Sequence, residues 1–183
     1  MEAVLKYFLT FDIGTTSVKT CVFDESLTMR GHANEEYLLL AEKPGYVELP
    51  AETYWQAVLS GAKSAVARAG IDPKDIVSIS ATTQGETFIP IGPDGAPLRN
   101  AIVWLDERAG EQAKRLAQSF DAARFYRETG LPELSGYTPV SKLLWVKENE
   151  PELYEKTVKF LLLEDYILYR LTGKFVTEKA LAC

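Results

Sequence analysis

At 183 residues, with 46% hydrophobic and 25% charged side chains, the chain is long enough to bury a core as one domain or at most two. Its net charge of −6 lacks the concentration of Lys and Arg that nucleic-acid binding needs. No apolar run reaches the roughly 18 residues of a membrane span, and the apolar segment after Glu2 is too short for a cleaved signal. The expectation is a cytoplasmic protein with neither nucleic-acid nor membrane partners.

Two cysteines, Cys21 inside a predicted strand and Cys183 at the last position, make no disulfide framework and no metal-ligand spacing, so they read as plain thiols. The single histidine, His32, lies in a strand-like polar stretch without a motif around it. That speaks against a Ser-His-Asp or Cys-His mechanism.

Apolar, β-branched runs at Tyr7–Ile13 and 18–23 flank Gly14-Thr15-Thr16-Ser17, the composition of two strands joined by a tight hairpin. Gly14 has no side chain to keep a ligand from the backbone, and the hydroxyls of Thr15, Thr16 and Ser17 can donate to phosphate oxygens together with the turn's N–H groups. Asp12, at the end of the first strand, could hold a hydrated Mg²⁺ against them. The same residues also suit an ordinary turn capped by Asp12. Both standard nucleotide signatures, G-x-x-x-x-G-K-[ST] and G-x-G-x-x-G opening a helix, are absent.

Residues 27–40 read as a third strand, and Pro44, Gly45 and Pro50 mark a loop. Helical spacing over Ala51–Ala69 places Trp55, Val58, Leu59, Ala62, Val66 and Ala69 on one stripe, with Gly70 ending the helix. A β-rich run follows at 76–81, then a strand at Phe88–Ile91, the turn Gly92-Pro93-Asp94-Gly95 and a buried segment at 98–104. Helices are predicted over 106–120, Ala122–Thr129, 140–149, from Pro151 onward, and over 165–171, with a strand at 158–162. No internal repeat, low-complexity tract or domain linker is present, so 1–183 reads as one domain. Three strands followed by strands alternating with helices give an α/β layout with a mixed sheet flanked by helices. Actin-like, ribonuclease-H-like ATPase domains use such a sheet with a phosphate loop at its first turn, an analogy that leaves function open.

Four blocks taken together carry a more specific resemblance. They are Asp12-Ile13-Gly14-Thr15-Thr16-Ser17-Val18-Lys19; Gly45-Tyr46-Val47-Glu48 with Tyr54-Trp55; Ile79 to Glu86 continuing through Pro97 to Trp104-Leu105-Asp106-Glu107-Arg108; and Ser141-Lys142-Leu143-Leu144-Trp145 through Asp165 to Thr177. In this order, over nearly the whole chain, they resemble the FGGY family of carbohydrate and polyol kinases.

The resemblance implies an actin-like ATPase fold, with ATP and Mg²⁺ as cofactors and a small sugar or polyol as substrate. It implies that Asp12 holds the Mg²⁺ of ATP and that Gly14, Thr15, Thr16 and Ser17 lie beneath its phosphates. Lys19 reads as a solvated strand lysine. Gln84, Gly85 and Glu86 match the substrate loop, where Glu86 would accept polyol hydroxyls as a carboxylate can. Trp104 would lie against the carbon chain, Asp106 would accept another hydroxyl, and Tyr137 falls at a substrate tyrosine. Trp55 and Trp145 read as core. Glycerol kinases carry an arginine where this chain has Gly85, and xylulose kinases a Met-His pair where it has Gly85-Glu86, so the sugar stays open. Family members have two domains, with the catalytic base, adenosine pocket and second phosphate loop beyond residue 183. The resemblance therefore implies an N-terminal kinase domain whose partner is the C-terminal domain, without catalytic base or turnover of its own. The alternatives are a truncated remnant acting as a binding or homodimerising module, and an actin-like or phosphatase-like ATPase without a sugar.

Overall fold

The computed structural model describes residues 6–178, so Cys183 lies outside the described residues. The fold is mixed α/β, and the chain divides into two compact units. One comprises the described part of Met1–Leu38 with Glu52–Gln84; the other comprises Leu39–Ala51 with the described part of Gly85–Cys183.

In the first unit, β1 (Tyr7–Ile13) and β2 (Ser17–Asp24) form the expected antiparallel hairpin, with Ile13 opposite Val18 and Tyr7 opposite Asp24. Alternation sorts the faces: Leu9, Phe11, Ile13, Val18 and Val22 are buried, while Asp12 and Lys19 are exposed. The third strand, β3 (Met29–Glu36), is shorter than its sequence suggests, because Tyr37 leaves the ladder.

Helix α1 spans Ala51–Ala69 as expected, but its buried seam is Tyr54, Val58, Gly61 and Ala65. Trp55, Leu59, Ala62, Val66 and Ala69 are half-buried rather than fully buried. The reason is close contact through small residues. A Cβ on Gly61 would meet Thr20 Oγ1 at 2.4 Å, and one on Gly31 would meet the Ala65 carbonyl oxygen at 2.2 Å. β5 (Ile76–Thr83) then pairs parallel to β1, giving a mixed sheet of order β3-β2-β1-β5.

In the second unit, β4 (Glu48–Leu49), β6 (Phe88–Ile91), β7 (Ala101–Ile102) and β8 (Lys159–Leu162) form an antiparallel sheet of order β4-β7-β6-β8. Phe88, Ile102 and Val146 form its core, with Leu143, Trp145, Leu153, Tyr154 and Phe160 packed against them. Helix α2 (Gly110–Ala117) starts four residues later than its composition suggests, because residues 106–109 form a turn tied by Asp106 N to the Val103 oxygen and Gly110 N to the Glu107 oxygen. The other helices are α3 (Ala122–Thr129), α4 (Pro139–Asn149), α5 (Pro151–Lys156) and α6 (Leu163–Thr172). Asp121 caps α3 by accepting from Arg124 N at 2.7 Å, and left-handed Gly130 closes it. No helix among the described residues is long and apolar enough to cross a membrane.

Because any side chain at position 31 would strike helix backbone, Gly31→Ala should lower the unfolding free energy by about 1–3 kcal/mol. Urea denaturation reads this as an earlier midpoint at constant slope.

Candidate functional site

In the first unit, the turn between β1 and β2 is closed by Gly14 N donating to the Ser17 oxygen at 2.9 Å. A Cβ on Gly14 would lie 3.3 Å from that same oxygen, so glycine suits the turn. Tyr37 holds the turn twice: its hydroxyl donates to the Gly14 oxygen at 2.5 Å, and its N–H donates to the Thr16 oxygen at 3.0 Å. Burial, with smaller contributions from Tyr54 and Asp12, pushes the Tyr37 hydroxyl well above its ordinary pKa, so it stays a neutral donor.

Asp12 and Lys19 face each other across the ladder, with Nζ 3.2 Å from Oδ2. Lys19 therefore has a partner, although both side chains are at least half exposed and such pairs contribute at most about 1 kcal/mol. Gln84 extends β5 past Thr83, its N–H donating to the Ile13 oxygen at 2.8 Å. Its amide donates to the Tyr54 hydroxyl at 2.9 Å, and its Oε1 is buried without a protein partner.

In the second unit, Gly85 is exposed and Glu86 is half-buried at φ 61°, a left-handed conformation that non-glycine residues seldom adopt. Burial raises the Glu86 carboxyl above its usual range, and the charge of Lys142 partly offsets this. The next residue, Thr87, accepts from Trp104 N at 3.2 Å. The indole of Trp104 and the ring of Tyr137 lie 6.4 Å apart. The Tyr137 hydroxyl donates to Glu107, and that bond is the main cause of its raised pKa.

Asp106, expected to meet a substrate hydroxyl, is fully buried with both oxygens engaged. Oδ1 accepts from Arg108 N at 3.0 Å and Nε at 2.8 Å, and Oδ2 from Arg108 Nη2 at 2.7 Å and Val47 N at 2.6 Å. These four bonds fill a carboxylate's acceptor sites. Arg108 also reaches Glu48 Oε1 at 2.7 Å and lies over the rings of Tyr46 and Trp145. Trp145 is half-buried and packs against the core, as its sequence context suggests.

Tyr37, Glu107 and Lys142 escape the sequence reading. Only Lys142 carries a legible signal, a lysine sharing the apolar face of α4 with Val146. Among the described residues, no group of three or more His, Cys, Asp or Glu comes together as a metal site. Asp12 and the partly exposed hydroxyls of Thr15, Thr16 and Ser17 nonetheless fit a phosphate-bound Mg²⁺, which keeps several waters and needs only one or two carboxylates.

One unit of this mixed α/β chain carries a hydroxyl-rich first turn, and the other a loop with a strained carboxylate. Residues 7–183 match the family model described as "FGGY family of carbohydrate kinases, N-terminal domain", and the chain belongs to that family. Over 174 residues it is 36% identical to the xylulose kinase of Bacillus subtilis, covering 95% of this chain and 34% of that protein. Over 177 residues it is 36% identical to a glycerol kinase of Thermococcus gammatolerans, covering 94% and 36%. The crystal structure of a gluconate kinase from Lactobacillus acidophilus superposes with a TM-score of 0.88 at 31% identity, over 97% of this chain and 35% of that one. The fold is thus that of the sugar kinases, an actin-like ATPase fold. The chain spans about a third of the length of these relatives.

Removing the Tyr37 hydroxyl leaves the Gly14 oxygen without its buried donor. Tyr37→Phe should lower stability by about 0.5–1.5 kcal/mol and accelerate amide exchange at residues 14–17, read by hydrogen-exchange mass spectrometry.

Proposed function

We propose that the protein carrying this chain transfers the γ-phosphoryl group of ATP to a hydroxyl of a small sugar or polyol, with this chain supplying the phosphate turn and the hydroxyl-binding face. The observation that carries this reading is a likeness over 94–97% of the chain to kinases named for xylulose, glycerol and gluconate, three compact polyhydroxy molecules. Mg²⁺ and ATP supply the transferable group and the charge that polarises it. Asp12 would hold the hydrated metal, and the Gly14, Thr15, Thr16 and Ser17 turn would receive the phosphate oxygens. On the sugar side, the substrate contacts are Gln84, Gly85, Glu86, Trp104 and Tyr137, with Glu86 accepting hydroxyls and Trp104 covering the carbon chain. Asp106 serves this face indirectly, by fixing Arg108 and the Val47 backbone. The group that takes the hydroxyl proton belongs to the C-terminal domain.

The full-length protein should phosphorylate at least one of glycerol, D-xylulose and gluconate in a coupled ADP-release assay, and Asp12→Ala should reduce that rate about 10–100-fold. No turnover of any polyhydroxy substrate, or turnover indifferent to Asp12→Ala, overturns the reading.

An ionised Glu86 accepts hydroxyls at both oxygens and more strongly than a protonated one, so the KM for sugar should rise as pH falls through its raised pKa, beginning above the pH at which an ordinary glutamate would protonate. The raised value also means that Glu86 contributes most to folding below the ordinary carboxylate range, and that this contribution is lost as pH rises through the raised pKa. At neutral pH, Glu86→Gln should therefore keep or raise Tm while weakening sugar binding about tenfold or more. Paired thermal-shift and KM measurements check both signs.

A further inference from the structure

The side chain of Lys142 is wholly buried in the second unit. Its ammonium donates to the Val103 oxygen at 3.1 Å, the Trp104 oxygen at 3.3 Å and the Glu86 oxygen at 3.4 Å. Three N–H donors thus meet three carbonyls. Among the described residues no salt bridge joins it to a carboxylate; Asp106 and Glu86 act on it through their field, with Arg108 opposing. Burial is the dominant influence and pulls its pKa down to about 8.

Stability alone does not explain such a group. A desolvated ammonium is costly, and an apolar side chain of similar volume commonly replaces buried charge without loss. What Lys142 does accomplish is local: it joins two segments far apart in sequence. One bears Glu86, whose peptide is held at φ 61°, a strain of about 1–3 kcal/mol that persists only where the surroundings enforce it. The other bears Trp104 and leads into Asp106.

We infer that Lys142 is the positioning residue of the sugar site: its ammonium gathers the Glu86, Val103 and Trp104 carbonyls and thereby fixes the hydroxyl-accepting carboxylate relative to the indole face. This rests on the proposed kinase reading for the identity of the ligand. Lys142 itself does not touch substrate. Deprotonation turns three donors into two and leaves a lone pair facing a carbonyl, so the bracket loosens as pH rises through about 8.

The test uses the full-length protein with glycerol, D-xylulose and gluconate as probes, comparing wild type, Lys142→Met and Lys142→Gln. The inference requires sugar KM to rise about tenfold or more in Lys142→Met with ATP KM within twofold, and to recover partly in Lys142→Gln, which restores two donors. Wild-type sugar KM should also climb above pH 8, whereas that of Lys142→Met should not. In the absence of substrate, amide exchange in Lys142→Met should accelerate at residues 84–88 and 102–106. Sugar KM within twofold of wild type, both KM values moving together, or unchanged exchange in those segments overturns the inference. Should wild type phosphorylate none of the probes, the kinase reading is what fails. The bracket is then decided by exchange alone, and Lys142→Gln serves the same comparison if Lys142→Met does not fold.

Discussion

Carbonyl oxygens where strands break into loops need donors wherever water is excluded, and this requirement acts in each of the two units. At the β1–β2 turn the donor is the Tyr37 hydroxyl, bonded to the Gly14 oxygen. At the loops around Glu86 and Trp104 it is the Lys142 ammonium. Each donor is buried, so the groups it holds cannot exchange it for solvent without opening the structure. The turn at Gly14 and the loops around Glu86 and Trp104 are therefore each fixed by a buried donor.

A second polar layer lies in the unit that bears Glu86. Arg108 joins Asp106 to Glu48, and Arg99 joins Glu48 to Glu150. Burial alone would lower the Arg108 pKa, but hydrogen bonds to Asp106 and Glu48 outweigh it and keep the guanidinium charged. Networks of this kind add little net stability against an apolar alternative. Their effect is geometric, because a planar guanidinium gripping a carboxylate at two points leaves few orientations open. The turn from Asp106 to Arg108 and the strand end at Val47 and Glu48 are locked together by it.

The relatives are named for different polyhydroxy substrates, xylulose, glycerol and gluconate. In the loop at residues 84–86, Gly85 places no side chain, and a Cβ at that position would meet nothing within 4 Å.

The sequence by itself determined the local features. Alternating apolar residues set the faces of β1 and β2, Gly130 ended α3, and the extent of α1 followed from helical spacing bounded by Pro50 and Gly70. The hydroxyl-rich turn and the blocks around Glu86 and Trp104 were likewise legible, since glycine, hydroxyl and carboxylate chemistry is written in residue types. Only the tertiary structure decided which residues hold them. The seam of α1 moved to Gly61 and Ala65 because close approach selects small side chains, whereas a reading by hydrophobicity selects large ones. Asp106 turned inward, Tyr37 became the brace of the turn, and Lys142 became a buried donor. Their partners lie 59, 23 and 39 residues away along the chain, separations at which neither periodicity nor turn chemistry carries information.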